Sequence, residues 1–517
     1  MTARQPRSVL SNMRWSVLGT VFNIAIALVM TPLLISRLGV DQWGLLLLVW
    51  SFTGVLGLAN FGLGEATMRF VAHYHADDDL TGINRVLGAT LTFYVVVCTV
   101  ISCFVWVAAP VVAQWVKTPE TGYEQVEALL RLAAVLFSAS TIAGAFHAIT
   151  MALRRYDISN GIVMIFGTVR SGGLLLLVLI GLGVLHLVVW EVFVAVASLV
   201  VHLLVARWLL PGIRWLPTIS LTGMREIFGY SFFSFMTQIF VIIYRESGKL
   251  ILANRLGTAS VAYLGTPDSI ANRLHMTVVN AIETLVPRFA ASRDEEIAKQ
   301  LLIASTWSGF ACVVVLYVPF AVLMPDFLRL WISPEFARES SDVGRLIALG
   351  LIGSVAFAPI ATLLRGMGKP GFVTAVMAAA GLVVLVGSVL LIPSYGVVGV
   401  GLAYFLATLA WLVGLCACWI YLYGSASWLE LCRYAGLPLA IACCLGFAQA
   451  GLRHWLPEPG WIEFLLLGAA FSGAGAVVVV TIDLLLGDMS PARLILTRVI
   501  GQDRLAVLRE RGLGRLL

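Results

Sequence analysis

Apolar residues in this chain neither alternate strictly nor recur as a narrow stripe. They come in long, almost unbroken runs separated by short polar stretches. Fourteen runs can be read: Ser16–Ser36, Trp43–Leu63, Val86–Val116, Ala128–Met151, Ile158–Leu182, Val184–Leu204, Phe228–Leu252, Ala259–Pro287, Leu302–Met324, Val343–Leu364, Phe372–Ile392, Gly396–Tyr421, Tyr434–Gly451 and Trp461–Leu486. A hydrocarbon core of about 30 Å takes about 20 apolar residues in helical form. Membrane barrel strands are only about ten residues long and alternate in polarity. The pattern therefore predicts an all-α integral membrane protein of about 14 transmembrane helices. Glycine and hydropathy alone separate the fifth run from the sixth, between Gly181 and Val184. Val86–Val116 is too long for one straight crossing, so it tilts or ends near Pro110.

Composition strengthens this reading. Of 517 residues, 60% are hydrophobic and 12% charged, against about 25% charged in ordinary soluble domains. Mean hydropathy is +0.95. A soluble enzyme is excluded. The longest polar stretches, Arg207–Glu226 and Pro325–Asp342, are too short to fold as catalytic domains.

Charge sets the orientation. With both termini in the cytoplasm, 22 of the 34 basic residues fall in inner segments and 8 in outer ones, with 4 inside spans. Basic residues favour the cytoplasmic side, so an even number of crossings with both ends inside is expected, in the cytoplasmic (inner) membrane. The first run is full-length and lacks a small-residue cleavage site behind it, unlike a cleavable signal peptide. After Ser490, Arg493, Arg498, Arg504, Arg509, Arg511 and Arg515 interleave with leucine, isoleucine and valine. This suits an amphipathic helix on the anionic inner leaflet, or a docking segment for a glycosyltransferase.

Other chemistry is sparse. The eight cysteines lie in or beside spans without C-x-x-C pairing, and read as small apolar filler. Neither an H-E-x-x-H metal motif nor a phosphate loop occurs. No catalytic residues, metal or cofactor are expected, and no nucleic-acid partner.

Short matches recur six spans apart. Arg37-Leu38-Gly39 ends the first span and Arg255-Leu256-Gly257 the seventh, an offset of 218 residues. Arg69-Phe70-Val71-Ala72 ends the second and Arg288-Phe289-Ala290-Ala291 the eighth, an offset of 219. Leu153-Arg154 and Leu364-Arg365 add a weaker echo. An even number of crossings gives parallel repeats, related by an axis along the membrane normal. The expected architecture is two six-helix lobes around a central cavity, an N-lobe at 1–210 and a C-lobe at 211–425. Spans 13 and 14 and the tail follow at 426–517.

Ionisable side chains at membrane depth cost about 2.5–3.5 kcal/mol each on insertion scales and usually face a bundle interior or water. The basic ones here are Arg170, Arg245, Lys249 and Arg273. Arg245 and Lys249, at i and i+4, share a helix face. Acidic residues at depth are Glu246, Asp268 and Glu283, with Glu65, Glu191 and Asp483 nearer span ends. One reading is a structural ion-pair network, with Glu246 meeting Lys249 and Asp268 reaching Arg245 or Lys249. The other is a hydrated cationic cavity in which the four bases hold a phosphate or pyrophosphate, since a guanidinium can bond two oxygens at once. Glu246 and Asp268 then balance charge or couple to an ion.

An ordered set of segments resembles a known family. Asn12-Met13-Arg14-Trp15, Thr31-Pro32-Leu33-Leu34, Arg37 to Gly44, Gly62-Leu63-Gly64 and Arg69-Phe70-Val71-Ala72 look like the start of polysaccharide-biosynthesis and O-antigen flippases. These form a branch of the multidrug/oligosaccharidyl-lipid/polysaccharide (MOP) exporter superfamily. Asn254 to Gly257, Val261-Ala262-Tyr263, Val286-Pro287-Arg288, Leu328 to Trp331, Leu364-Arg365-Gly366 and Tyr395 to Gly399 fit the same pattern. The resemblance implies two lobes, alternating access and export of a lipid-linked oligosaccharide from inner to outer leaflet. It also implies a cationic cavity for the pyrophosphate, often with proton or sodium coupling, and glycosyltransferase or polymerase partners. Many relatives carry an aspartate where Arg245-Glu246-Ser247-Gly248-Lys249 stands here, which leaves the coupling ion open. Rival readings are a multidrug or cation antiporter of the same superfamily, a membrane glycosyltransferase or polymerase, and a non-transporting scaffold.

Overall fold

The computed structural model describes residues 28–117, 122–218, 220–283, 295–424 and 436–485, with Ile26, Glu430 and Cys432 besides. Most of the first expected span, the segment around Arg288 and the amphipathic tail after Ser490 lie outside the described residues.

Every regular element among the described residues is helical. They are α1 (Leu28–Leu38), α2 (Val40–Leu56), α3 (Leu63–Ala76), α4 (Leu80–Trp115), α5 (Tyr123–Ala152), α6 (Tyr156–Leu179), α7 (Val184–Leu209), α8 (Leu221–Arg255) and α9 (Thr258–Glu283). There follow α10 (Glu295–Cys312), a π-helical turn (Val313–Tyr317), α11 (Val318–Trp331), α12 (Pro334–Gly366), α13 (Pro370–Tyr395), α14 (Val397–Tyr423), α15 (Leu437–Trp455) and α16 (Trp461–Leu485). Among the described residues, ten helices are long and apolar enough to cross a membrane. Among described residues, each of the fourteen expected spans is represented by a helix. Those outside the ten include α8 and α9, whose charges lower their hydropathy.

Local chemistry fixes the helix starts. Asp79, Ser220 and Ser333 each accept a hydrogen bond from the backbone N–H three residues on (2.9, 3.1 and 3.1 Å), which caps α4, α8 and α12. Pro334 follows Ser333 at the first helical position, where its missing N–H costs nothing. These starts correct two expectations. The stretch Pro325–Asp342 is helical except at Ile332 and Ser333, and the connection expected at Arg207–Glu226 shrinks to Leu210–Ser220. α4 runs through Pro110 to Trp115 rather than ending there. The fifth and sixth spans do part where expected, with Gly181 at φ +83° after α6.

Two compact units divide the chain at Met1–Gly265 and Thr266–Leu517, within α9. α8 counts with the first unit because it packs on α2, α3 and α4. In the first unit α5 is the most buried span, held between α4 and α7. In the second α12 has that position, between α11 and α14. These are spans four and ten, six apart, and their neighbours are likewise six apart. The R-L-G matches behave alike too: Gly39 and Gly257, each just before a span, have φ of +83° and +91°.

In the second unit α15 and α16 pack on α11. The Arg453 guanidinium donates to both oxygens of Asp326 at 2.6 Å and to the Leu456 carbonyl at 2.8 Å. Arg329 donates to the Pro459 carbonyl at 2.6 Å. Asp326 is 5% exposed, and breaking a buried pair from one side costs about 3–5 kcal/mol. Arg453→Ala should lower the thermal midpoint in detergent, and Arg453→Met with Asp326→Leu should recover most of the loss. Equal midpoints for Arg453→Ala and wild type would contradict the clamp.

Candidate functional site

The first unit holds three of the four candidate bases. α6 and α7 form an antiparallel hairpin closed by the turn at Gly181. Arg170 lies nine residues before the end of α6 and Glu191 seven after the start of α7. At about 1.5 Å per residue, the hairpin sets them nearly level. Arg170 Nε and one terminal nitrogen donate to a single oxygen, Glu191 Oε1, at 2.8 and 2.6 Å. Trp50 of α2 donates its indole N–H between the two Glu191 oxygens (3.1 and 2.9 Å), and the Arg170 guanidinium lies 5.2 Å from the Trp50 ring centroid, within cation–π range. Trp190 closes the hairpin: its indole N–H donates to the Arg170 carbonyl at 3.3 Å, and it lies so close to Gly173 that a Cβ there would sit 2.0 Å from its nitrogen. Burial is unequal. Glu191 is 2% exposed, whereas the Arg170 side chain is 45% exposed.

Lys249 pairs with Glu246 at 3.2 Å one turn apart on α8, and both side chains are mostly buried. Glu246 lies beside Gly54 of α2, where a Cβ would meet it at 3.7 Å. Trp50 and Gly54 are at i and i+4, hence on one face. That face of α2 touches both charged groups, Arg170–Glu191 through Trp50 and Glu246–Lys249 through Gly54. Arg245, next to Glu246, is exposed.

Asp268 and Arg273 belong to the second unit. Asp268 is 4% exposed and accepts from Asn272 at 2.6 Å, whereas Arg273 is exposed. Two residues beyond Arg273, the buried His275 is bonded to the Tyr317 hydroxyl (3.2 Å) and to Ser354 (3.3 Å). This fixes α9 against the π-helical turn and α12.

Residue spacing pairs Glu246 with Lys249 as the structure does, but hydropathy places Glu191 near a span end and gives no sign of Trp50. Counting residues outward from Gly181 would have found Glu191, because equal distances on the two arms of a tight hairpin meet. No comparable signal exists for Trp50, which reaches Glu191 from a helix 141 positions earlier.

A helical membrane chain with ionisable groups held at depth suits transport, and comparison with known proteins narrows this. The family model described as "Polysaccharide biosynthesis protein" matches residues 9–293, more than half of the chain. The chain belongs to the polysaccharide biosynthesis protein family. A second model, MatE, matches residues 229–390 of this family member. Among solved structures, a lipid II flippase, MurJ, in an inward closed conformation is similar over 92% of the chain and 100% of its own length, with TM-score 0.73 and 10% identity. An inward-facing multidrug resistance MATE family transporter of the MOP superfamily is similar over 78% of the chain and 94% of its own, with TM-score 0.62 and 16% identity. A MOP superfamily transporter from Pyrococcus furiosus, described as having a binding pocket of reverse polarity that suggests a different function, is similar over 80% and 93%, with TM-score 0.52 and 15% identity. At these identities the likeness is one of fold. No curated protein matches the chain. This polysaccharide biosynthesis protein is thus a multi-pass membrane protein with the fold seen in solved MOP superfamily transporters.

Proposed function

We propose that this protein flips a polyprenyl-pyrophosphate-linked oligosaccharide from the inner to the outer leaflet of the cytoplasmic membrane by alternating access, for cell-surface polysaccharide synthesis. The lipid tail stays in the bilayer while the sugars cross a wet path through the protein. Both termini lie in the cytoplasm, and the tail after Ser490 is available to a glycosyltransferase or polymerase.

The observation that carries the reading is the set of four bases at membrane depth in a chain of this family. Arg245 and Arg273, both exposed, are the leading contacts for the pyrophosphate. Arg170 and Lys249 join once the anion competes with their carboxylates, and Glu246 and Asp268 balance the charge. A pyrophosphate desolvated at depth needs that density of donors. The test is a deletion strain. A lipid-linked oligosaccharide should accumulate on the inner leaflet and be cleared by re-expressing the chain. Unchanged lipid-linked sugars would contradict the reading.

The MatE match over residues 229–390 favours one second reading, a multidrug or cation antiporter using the buried carboxylates. In that case expression confers resistance to cationic dyes and the deletion leaves lipid-linked sugars untouched.

A further inference from the structure

Glu191 occupies an unusual electrostatic position. It is almost completely buried (2% exposed), yet the cation that neutralises it is nearly half exposed. Both Arg170 bonds fall on one carboxylate oxygen, through Nε and one terminal nitrogen. The other terminal nitrogen makes neither of these bonds.

Among the described residues, the other charged and titratable groups nearby are engaged elsewhere or exposed. α7 packs on α2, α5 and α6. On α2, Asp41 accepts from Thr258. On α5, Glu127 pairs with Arg131 and His147 bonds Ser159. Asp157 of α6 pairs with Arg155. His202 of α7 bonds Ser198 and faces His147. Glu124, His186 and Arg207 are exposed. Arg170 is therefore the cation on which the Glu191 charge depends.

We propose that Glu191 is a proton-binding site linked to the anion site at Arg170, so that a phosphate group and a proton are loaded together. This rests on the reading above that Arg170 receives the pyrophosphate. An arriving phosphate oxygen competes for the guanidinium, and the hydrogen bonds from Arg170 to Glu191 are exchanged for bonds to phosphate. The carboxylate is then left in the interior with the Trp50 N–H as its donor. An uncompensated buried carboxylate is costly, so it takes one proton from water and becomes a neutral carboxyl. When the anion leaves, Arg170 returns to Glu191 and the proton goes back to water. Trp50 holds the carboxyl in place in both states, as a positioning residue. The sign is co-loading, in contrast to exchange of a proton for cargo. Linkage makes it reciprocal: lower pH tightens anion binding, by up to about tenfold per pH unit where one full proton is taken up.

The test uses the full chain purified in detergent, titrated with polyprenyl pyrophosphate and, separately, with inorganic pyrophosphate in weakly buffered solution containing a pH indicator. Wild type should take up protons on binding, and the arm that does so identifies a lipid-borne or a free anion. Glu191→Gln, which keeps an acceptor for Trp50, should still bind but take up far fewer protons, with affinity nearly flat across pH. Trp50→Phe should retain part of the proton uptake with altered pH dependence. Binding by wild type without proton uptake, or undiminished uptake in Glu191→Gln, overturns the linkage alone. Failure of wild type to bind either probe at any pH overturns the pyrophosphate reading with it.

Discussion

Gly44→Leu should leave almost no folded chain. A Cβ at Gly44 would sit 1.8 Å from the Thr258 carbonyl oxygen and 3.2 Å from the Ala262 nitrogen. α2 and the start of α9 therefore meet backbone to backbone, as small residues permit in membrane bundles. The same crossing carries the bond from Thr258 to Asp41 (2.9 Å). At Gly265, a Cβ would come within 2.8 Å of Leu47. An isobutyl group at position 44 meets rigid main chain rather than the end of a flexible side chain. The helices must separate along their length, beyond the ~1–3 kcal/mol of ordinary overpacking. Gly161→Leu on α6, where nothing lies within 4 Å, is the matched control. Fluorescence-detected size exclusion should show a monodisperse peak for Gly161→Leu and loss of that peak for Gly44→Leu. Comparable peaks would mean the contact is dispensable.

Arg273→Ala should have the largest effect on activity. On α9 the neighbouring Asp268 is buried and accepts from Asn272 one turn on, and the buried His275 bonds Tyr317, whereas Arg273 is exposed. Its removal leaves the His275 bonds to Tyr317 and Ser354 in place and deletes a leading contact for the proposed pyrophosphate cargo. Flipping should be abolished while the amount of protein in the membrane stays at the wild-type level. Arg273→Lys keeps the charge but loses the two-pronged bond and should restore part of the rate.

Much of the fold was legible because a bilayer leaves the backbone few options. Unbroken apolar runs must be helices, and the Gly181 turn, the R-L-G matches and the six-span repeat all emerged from residue types and spacing. Hydropathy is a poor guide where helices leave the hydrocarbon. Pro325–Asp342 looks like a loop by polarity, yet Ser333 and Pro334 start a new helix there, a signal weaker than hydropathy but present. The candidate site was half legible. Glu246 with Lys249 is a local pair that spacing alone finds. Arg170 with Glu191 depends on a hairpin turn, and Trp50 on packing of helices distant in sequence, which hydropathy does not encode.

The central claim is that bases at membrane depth carry a lipid pyrophosphate across. Its most direct test is a leaflet-accessibility assay in proteoliposomes containing a polyprenyl-pyrophosphate oligosaccharide, with wild type and Arg273→Ala reconstituted to equal density. The account predicts transfer to the opposite leaflet with wild type and a rate indistinguishable from protein-free vesicles with Arg273→Ala. Equal transfer by the two proteins, or none by wild type, would contradict it.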